Sequence, residues 1–177
     1  NYFPKNEVVW DTTFLRWDEN SVTSSSNVKY ARVSTDPFDR EMVTRAAYEA
    51  ERSSDWWRHV GAVVVKDGKI LLESHNQHMP SEYSQYIDGD PRDWVEAGKF
   101  PEFASANHGE RAIISEAARR GISLEGANIY MNVFPCNPCA NAVVAAGIKK
   151  CFFVEGNAYL NVEEIFEANG VEIVKVE

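Results

Sequence analysis

The order in which helix and strand patterns alternate most constrains the fold of this chain. A helix pattern over Phe38–Arg52 precedes two short apolar runs, Val60–Val65 and Lys69–Glu73, which the turn signal Asp67-Gly68 separates. Helices are then predicted over residues 110–120, 137–147 and 161–170, and strands over residues 127–132, 150–154 and 171–176. A hairpin followed by such alternation predicts an α/β chain, a three-layer α/β/α sandwich with a mixed five-stranded sheet.

Residues that favour particular backbone conformations mark several helix ends. Asn137 is predicted to cap its helix, with Pro138 as the first helical residue, and Asn161 is predicted to cap the last helix. Gly121 is predicted to end the helix over residues 110–120.

Two segments do not follow the alternating pattern. Residues 1–37 are aromatic and polar by turns without a clear period, which predicts an N-terminal extension packed on the domain surface or on a partner subunit. Residues 38–177 are predicted to form the main domain, with an insertion at about 76–107. A loop of that length is usually functional or disordered. Its aromatic content favours order and predicts that it roofs a site, although a surface decoration with its own small core is the alternative; the aromatic residues are Tyr83, Tyr86, Trp94, Phe100 and Phe103.

The composition limits the partners that we expect. A formal net charge of −9 disfavours nucleic acid as a partner, although a few local cations could still hold one phosphate. Three cysteines do not make a disulfide framework, and reduced cysteines are typical of a cytoplasmic protein. No stretch approaches the roughly 18 apolar residues of a membrane helix, and no signal peptide is visible.

Two short motifs carry the chemistry, His108-Gly109-Glu110 and Pro135-Cys136-Asn137-Pro138-Cys139. A catalytic zinc site needs three protein ligands and one open position. His108, Cys136 and Cys139 would supply the ligands, and Glu110 would remain free for proton transfer. Each motif alone is weak, because C-x-x-C also occurs in redox pairs and in structural zinc sites. The two motifs together, each opening a helix, match the H-x-E and P-C-x-x-C signature of zinc-dependent nucleobase deaminases.

The chain resembles the cytidine and deoxycytidylate deaminase superfamily over roughly residues 40–177, and it is most similar to deoxycytidylate deaminases. The resemblance also rests on Val60–Gly68 and on Ala146–Lys150 before an aromatic strand. It implies a hydrolase of cyclic amidines that uses Zn²⁺ to deaminate a cytosine nucleotide or nucleoside. A zinc-bound hydroxide would attack C4, while Glu110 would shuttle protons and help release ammonia.

The resemblance also implies substrate contacts. Asn76 falls where the family has an asparagine that holds the sugar hydroxyl, and we predict that Gly109 and Pro135 also contact the substrate. The family usually has alanine at Gly109, and its N-G-x-P pattern becomes Asn76–Pro80 here. These departures flank the expected pocket, so the substrate is less constrained than the reaction.

Several alternatives stay open at this point. The chain could deaminate another base, such as a purine, a pterin-like ring or a tRNA base, or it could be a non-catalytic, zinc-stabilised nucleotide-binding module. Arg111 could meet a substrate phosphate or be a solvated helix residue. His59 is predicted to be structural, as are His75 and His78, whose spacing would also suit a second metal. The resemblance further implies a homo-oligomer.

Overall fold

The computed structural model describes residues 28–56, 58–90, 105–156 and 162–177. The strands in these ranges are β1 (Arg32–Ser34), β2 (Gly61–Lys66), β3 (Lys69–His75), β4 (Gln77–His78), β5 (Ala106–Asn107), β6 (Asn128–Val133), β7 (Lys150–Glu155) and β8 (Glu172–Val176). The helices are α1 (Pro37–Ala50), α2 (Ser84–Asp88), α3 (Gly109–Arg120), α4 (Asn137–Ala145) and α5 (Val162–Ala168).

The main sheet is mixed and has the strand order β1-β8-β7-β6-β2-β3. The pairs β1–β8, β8–β7 and β7–β6 are parallel, whereas β6–β2 and β2–β3 are antiparallel. The predicted α/β architecture with a mixed sheet is confirmed, but the described sheet has six strands rather than five. The additional strand, β1, is only three residues long and lies in the segment predicted as an extension.

The hairpin prediction is confirmed, because Asp67 and Gly68 join β2 to β3 with φ of 50° and 71°. Positive φ at both central residues is the geometry of a type I′ turn, whose twist matches that of the strands. The predicted start of α4 is wrong by one residue. Cys136 is the N-cap with extended backbone, so Asn137 is already helical and Pro138 follows it. The predicted cap Asn161 lies outside the described residues.

Helices cover both faces of the sheet, which confirms the three layers. Successive strand residues point to opposite faces, so Val63 and Val65 of β2 pack with α1, whereas Ala62 and Val64 pack on the other side. The core on the α1 side includes Met42, Val43, Ala46, Tyr130 and Phe152. The other core contains residues of α3, α4 and α5, among them Ile113, Ala140, Val143 and Phe166.

The described ends of the predicted insertion contain β4, α2 and β5, and β4 pairs antiparallel with β5. Trp94, Phe100 and Phe103 lie outside the described residues, so the roof over the site stays a prediction. Most of the segment over residues 1–37 likewise lies outside the described ranges. None of the described helices combines the length and the apolar character that crossing a bilayer requires.

Candidate metal centre and active site

Four chain segments meet at one edge of the sheet. Strand β6 ends there and leads into the N-terminus of α4, while the β4–β5 ribbon leads into the N-terminus of α3. Strand β2 begins at this edge and β3 ends there, because Gly61 pairs with His75 in an antiparallel ladder. An ideal β-carbon on Gly109 would lie 3.3 Å from the Val60 carbonyl oxygen and 3.4 Å from the His75 carbonyl carbon. The start of α3 therefore packs directly against the β2–β3 edge.

The three predicted metal ligands lie together at this edge. His108 Nδ1 is 3.4 Å from Cys136 Sγ and 3.5 Å from Cys139 Sγ, and the three ligand atoms lie within 4.8 Å of one another. A tetrahedral ion with Zn–S of about 2.3 Å and Zn–N of about 2.0–2.1 Å would separate sulfur and nitrogen by about 3.6 Å. The spacing and the donor set therefore both fit a zinc ion.

Two helix N-termini point at the ligand cluster. His108 is the N-cap of α3 and Cys136 is the N-cap of α4. Both residues have extended backbone, which releases their side chains toward the cluster. The partial positive charge of a helix N-terminus stabilises thiolate over thiol, so the backbone favours the metal-binding form of the cysteines.

The ligands are also coupled to one another. A hydrogen bond from the Cys139 thiol, supported by His108, lowers the pKa of Cys136 to about 4. The hydrogen bond between the His108 imidazole and Cys136 in turn raises the pKa of His108. Because it donates to Cys136 and is buried, Cys139 has a raised pKa. A divalent cation among these groups would favour both thiolates and a neutral imidazole.

Glu110 lies beside the ligand cluster, in the first turn of α3, and is only 2% exposed. Burial raises the pKa of its carboxyl group, because the charged form loses its hydration. Its Oε2 atom is fully buried and has no hydrogen-bond partner. A buried carboxyl oxygen without a partner costs about 1–3 kcal/mol, and a ligand in the site could recover that energy. This oxygen is therefore available to exchange a proton with a molecule bound next to it.

Two asparagines hold the chain that enters β2. Asn76 Oδ1 accepts from the Val60 N–H at 2.8 Å, and Asn76 Nδ2 donates to the Arg58 carbonyl at 2.8 Å. Asn132 makes the matching pair of bonds, to the Gly61 N–H at 2.9 Å and to the His59 carbonyl at 3.0 Å.

The two hydrogen bonds of Asn76 show that it holds the backbone before β2, a role that the sequence did not indicate. The predicted contact between Asn76 and a sugar hydroxyl of the substrate stays a prediction. An amide oxygen has two lone pairs and an amide nitrogen two hydrogens, so both uses are chemically compatible. Sequence reasoning missed Asn132, and its only signal was its place at the end of a predicted strand before Pro135.

Gly109 and Pro135, the other predicted substrate residues, are both buried at the same edge. Pro135 follows Phe134, whose N–H donates to the Glu155 carbonyl at 2.7 Å and so ties the cysteine loop to β7. An added β-carbon at Gly109 would approach the Val60 carbonyl oxygen to 3.3 Å, so an alanine there would need only a small local shift. Their contacts with substrate stay predictions.

The other histidines do not join a metal cluster among the described residues. His75 Nδ1 lies 3.5 Å from Glu49 Oε2. His78 is completely buried, with Nε2 at 3.1 Å from Asp55 Oδ2 and Nδ1 at 2.8 Å from Ser105 Oγ. His59 is exposed and precedes β2. The structure therefore does not bring His75 and His78 together as ligands of a second metal.

Comparison with known proteins supports the zinc chemistry. Residues 37–155 match the family model described as the cytidine and deoxycytidylate deaminase zinc-binding region. The chain is 45% identical over 131 residues to the deoxycytidylate deaminase of enterobacteria phage T4, covering 56% of this chain and 67% of that protein. It is 27% identical over 125 residues to ComE operon protein 2 of Bacillus subtilis (strain 168), covering 67% of this chain and 60% of that protein.

A solved structure shows the same fold. The dCMP deaminase of cyanophage S-TIM5, crystallised in complex with dCMP and dUMP, superposes with a TM-score of 0.62 at 21% identity. The match covers 80% of this chain and 99% of that chain. The family match spans more than half of the chain and establishes that the chain belongs to the cytidine and deoxycytidylate deaminase family, whose zinc-binding region it contains.

Proposed function

We propose that this chain is a zinc-dependent hydrolase that deaminates a cytosine nucleotide, with conversion of dCMP to dUMP as the favoured reaction. The observation that carries the proposal is Glu110, a buried carboxyl group with an unpartnered oxygen beside a His-Cys-Cys cluster. A purely structural metal site has no use for such a group. A nucleotide-binding module without catalysis would likewise leave its buried oxygen unexplained.

The metal would be held by His108, Cys136 and Cys139, whose donor atoms and spacing suit zinc. When bound, a zinc ion supplies the Lewis acidity that makes water a nucleophile near neutral pH. The thiolate ligands are stabilised by the N-terminus of α4, so the protein itself contributes to holding the cation.

Glu110 would transfer the protons of the reaction. Addition of water at C4 of cytosine and loss of the amino group produce uracil and ammonia, so protons must move from water to the ring nitrogen and to the leaving amine. The raised pKa of the buried carboxyl brings it closer to neutrality, where a group can both accept and donate a proton. Burial also keeps bulk water from competing for Oε2.

The choice of substrate rests on the relatives. The phage T4 relative is named a deoxycytidylate deaminase, and the S-TIM5 structure contains dCMP and dUMP. We further propose that residues 38–177 form the catalytic domain, to whose sheet the preceding segment adds β1. The insertion at about 76–107 would close over the ligand, and Asn76, Gly109 and Pro135 would contact it. Assembly into a homo-oligomer belongs to the same proposal.

Ammonia release from a panel of substrates tests the proposal. The panel contains dCMP, CMP, deoxycytidine, adenosine, a pterin and an adenosine-containing tRNA stem-loop, each with and without a zinc chelator. We expect the fastest release from dCMP and its loss when the chelator removes the metal. Bound zinc without ammonia from any compound would favour the non-catalytic module, and faster release from a purine, the pterin or the tRNA would favour another base.

The variant Glu110→Gln isolates the proton-transfer role. It keeps the shape of the side chain, so zinc should stay bound while turnover falls by about 10²- to 10⁴-fold. Glu116→Gln is the matched control, because Glu116 lies on the same helix but is solvent-accessible and pairs with Arg119 and Arg120. Undiminished turnover in Glu110→Gln would refute the role assigned to Glu110.

A further inference from the structure

Arg111 is a cation without a carboxylate partner among the described residues. Its Nη2 donates to the Ala106 carbonyl at 3.1 Å, and its Nε is fully buried without any hydrogen-bond partner. Most other described arginines lie against an acid. These are Arg32 with Glu172, Arg45 with Glu73, Arg52 with Glu49, and Arg119 and Arg120 with Glu116.

The position of Arg111 is unfavourable for a purely structural cation. It lies in the first turn of α3, where the helix dipole favours negative rather than positive side chains. It is also partly buried, which removes hydration from the guanidinium, and no carboxylate of the described residues forms an ion pair with it. A brace for the Ala106 carbonyl would need only one neutral donor, whereas a guanidinium offers five. Helix stability and the single bond therefore do not account for an arginine here.

The Arg111 side chain lies beside the candidate active site. Arg111 directly follows Glu110, and side chains on a helix lean toward its N-terminus, which here carries His108. The bond to Ala106 confirms that direction, because Ala106 lies two residues before His108.

We propose that Arg111 binds the phosphate of the substrate and makes the enzyme prefer a nucleotide to a nucleoside. This inference rests on the proposed deaminase function and adds the residue that recognises the phosphate. Guanidinium groups bind phosphate oxygens through paired, charge-assisted hydrogen bonds. A net charge of −9 works against binding of a phosphate dianion, and a local cation at the site would offset that repulsion.

The experiment compares zinc-loaded wild type with Arg111→Gln, Arg111→Lys and the control Arg120→Gln. Arg120 lies on the same helix but is exposed and paired with Glu116. For each protein, kcat/KM is measured for dCMP and for deoxycytidine, and binding of dUMP and of deoxyuridine is measured by calorimetry. Thermal unfolding and zinc content show whether a variant is intact.

We expect wild type to prefer dCMP and to bind dUMP more tightly than deoxyuridine. Arg111→Gln should lower kcat/KM for dCMP and the affinity for dUMP by about 10- to 100-fold. The values for deoxycytidine and deoxyuridine should stay within about twofold, because they lack the group that Arg111 binds. Arg111→Lys should recover part of the loss, and Arg120→Gln should behave as wild type.

Two results would overturn the inference while leaving the deaminase proposal intact. One is a wild type that deaminates dCMP and deoxycytidine equally well, and the other is an Arg111→Gln variant that loses both activities to the same extent. The binding arm does not depend on turnover. If wild type releases no ammonia, a selective loss of dUMP affinity in Arg111→Gln still supports phosphate binding, and unchanged dUMP affinity contradicts it.

Discussion

Gly61 lies where α1 packs most tightly on the sheet, and Gly61→Ala is the most direct test of that contact. An ideal β-carbon at this position would lie 1.9 Å from the Ala46 carbonyl oxygen and 2.7 Å from the Ala50 nitrogen. Both atoms belong to the backbone of α1, so no side chain can rotate away to relieve the overlap. The helix and the start of β2 must instead separate by about 1 Å before the contact becomes tolerable.

The cost follows from what that separation disrupts. The α1 side of the core packs Met42, Val43 and Ala46 against the sheet, and none of these is more than 6% exposed. Overpacking a core of this kind costs typically about 1–3 kcal/mol, and a backbone clash places Gly61→Ala at the upper end. For a domain of this size about 3 kcal/mol lowers Tm by about 6–12 °C. The Gly61 N–H bond to Asn132 would also be strained, so activity should fall with stability.

Thermal unfolding of the zinc-loaded protein, followed by circular dichroism, measures the effect. Gly68→Ala is the control, because an added β-carbon there meets no atom within 4 Å, yet its φ of +71° disfavours alanine. That conformational penalty is about 1–2 kcal/mol, or about 2–8 °C in Tm. If Gly61→Ala melts within about 2 °C of wild type, or above Gly68→Ala, the close approach of α1 to β2 is wrong.

Four further substitutions test other parts of the structure. Gly109→Ala brings a β-carbon only to 3.3 Å from its nearest neighbour, so it should cost below about 1 kcal/mol by urea unfolding and keep most of the activity. Cys139→Ser should lower the zinc content measured by mass spectrometry, whereas Cys151→Ser, buried away from the ligand cluster in β7, should keep it. His78→Leu removes two buried hydrogen bonds and should cost about 3 kcal/mol, with weaker zinc binding measured by chelator competition. Burial and a bond to a carboxylate raise the pKa of Tyr130, so the folded state keeps its phenol neutral while the unfolded state ionises above a pH of about 10. The stability advantage of wild type over Tyr130→Phe should therefore be present below that pH and shrink as the pH rises above it; an advantage that grows with pH would contradict the assignment.

Local patterns predicted most of the fold, because they report burial directly. The run Val60–Val65 is apolar at every position, and β2 is indeed buried on both faces between two other strands. Strand β1 escaped prediction for the opposite reason. It has three residues, two of them exposed, and it exists because Arg32–Ser34 can pair with the end of β8, far along the chain. No local pattern encodes a pairing of that kind.

The metal ligands could be predicted because their spacing is itself a chemical requirement. Cys136 and Cys139 must lie one helical turn apart to reach one ion, and that requirement is visible in sequence. The hydrogen bonds by which Asn76 and Asn132 hold the backbone of residues 58–61 could not be predicted. They depend on the end of β3 and the end of β6 lying on either side of that segment, which only the folded chain reveals. Arg111 was ambiguous for a similar reason, because only the structure reveals that it has no described acidic partner.

The buried network around His78 connects the insertion to the metal site. His78 lies in β4 and bridges Asp55, before β2, to Ser105, which lies three residues before His108. Because β4 pairs with β5, both ends of the insertion are fixed where they leave and re-enter the domain. A change in sequence between these ends should therefore leave His108 in place, provided that this base is intact. This base therefore separates the segment that we propose to cover the ligand from His108, Cys136 and Cys139, so a change in that segment need not disturb the three proposed metal ligands.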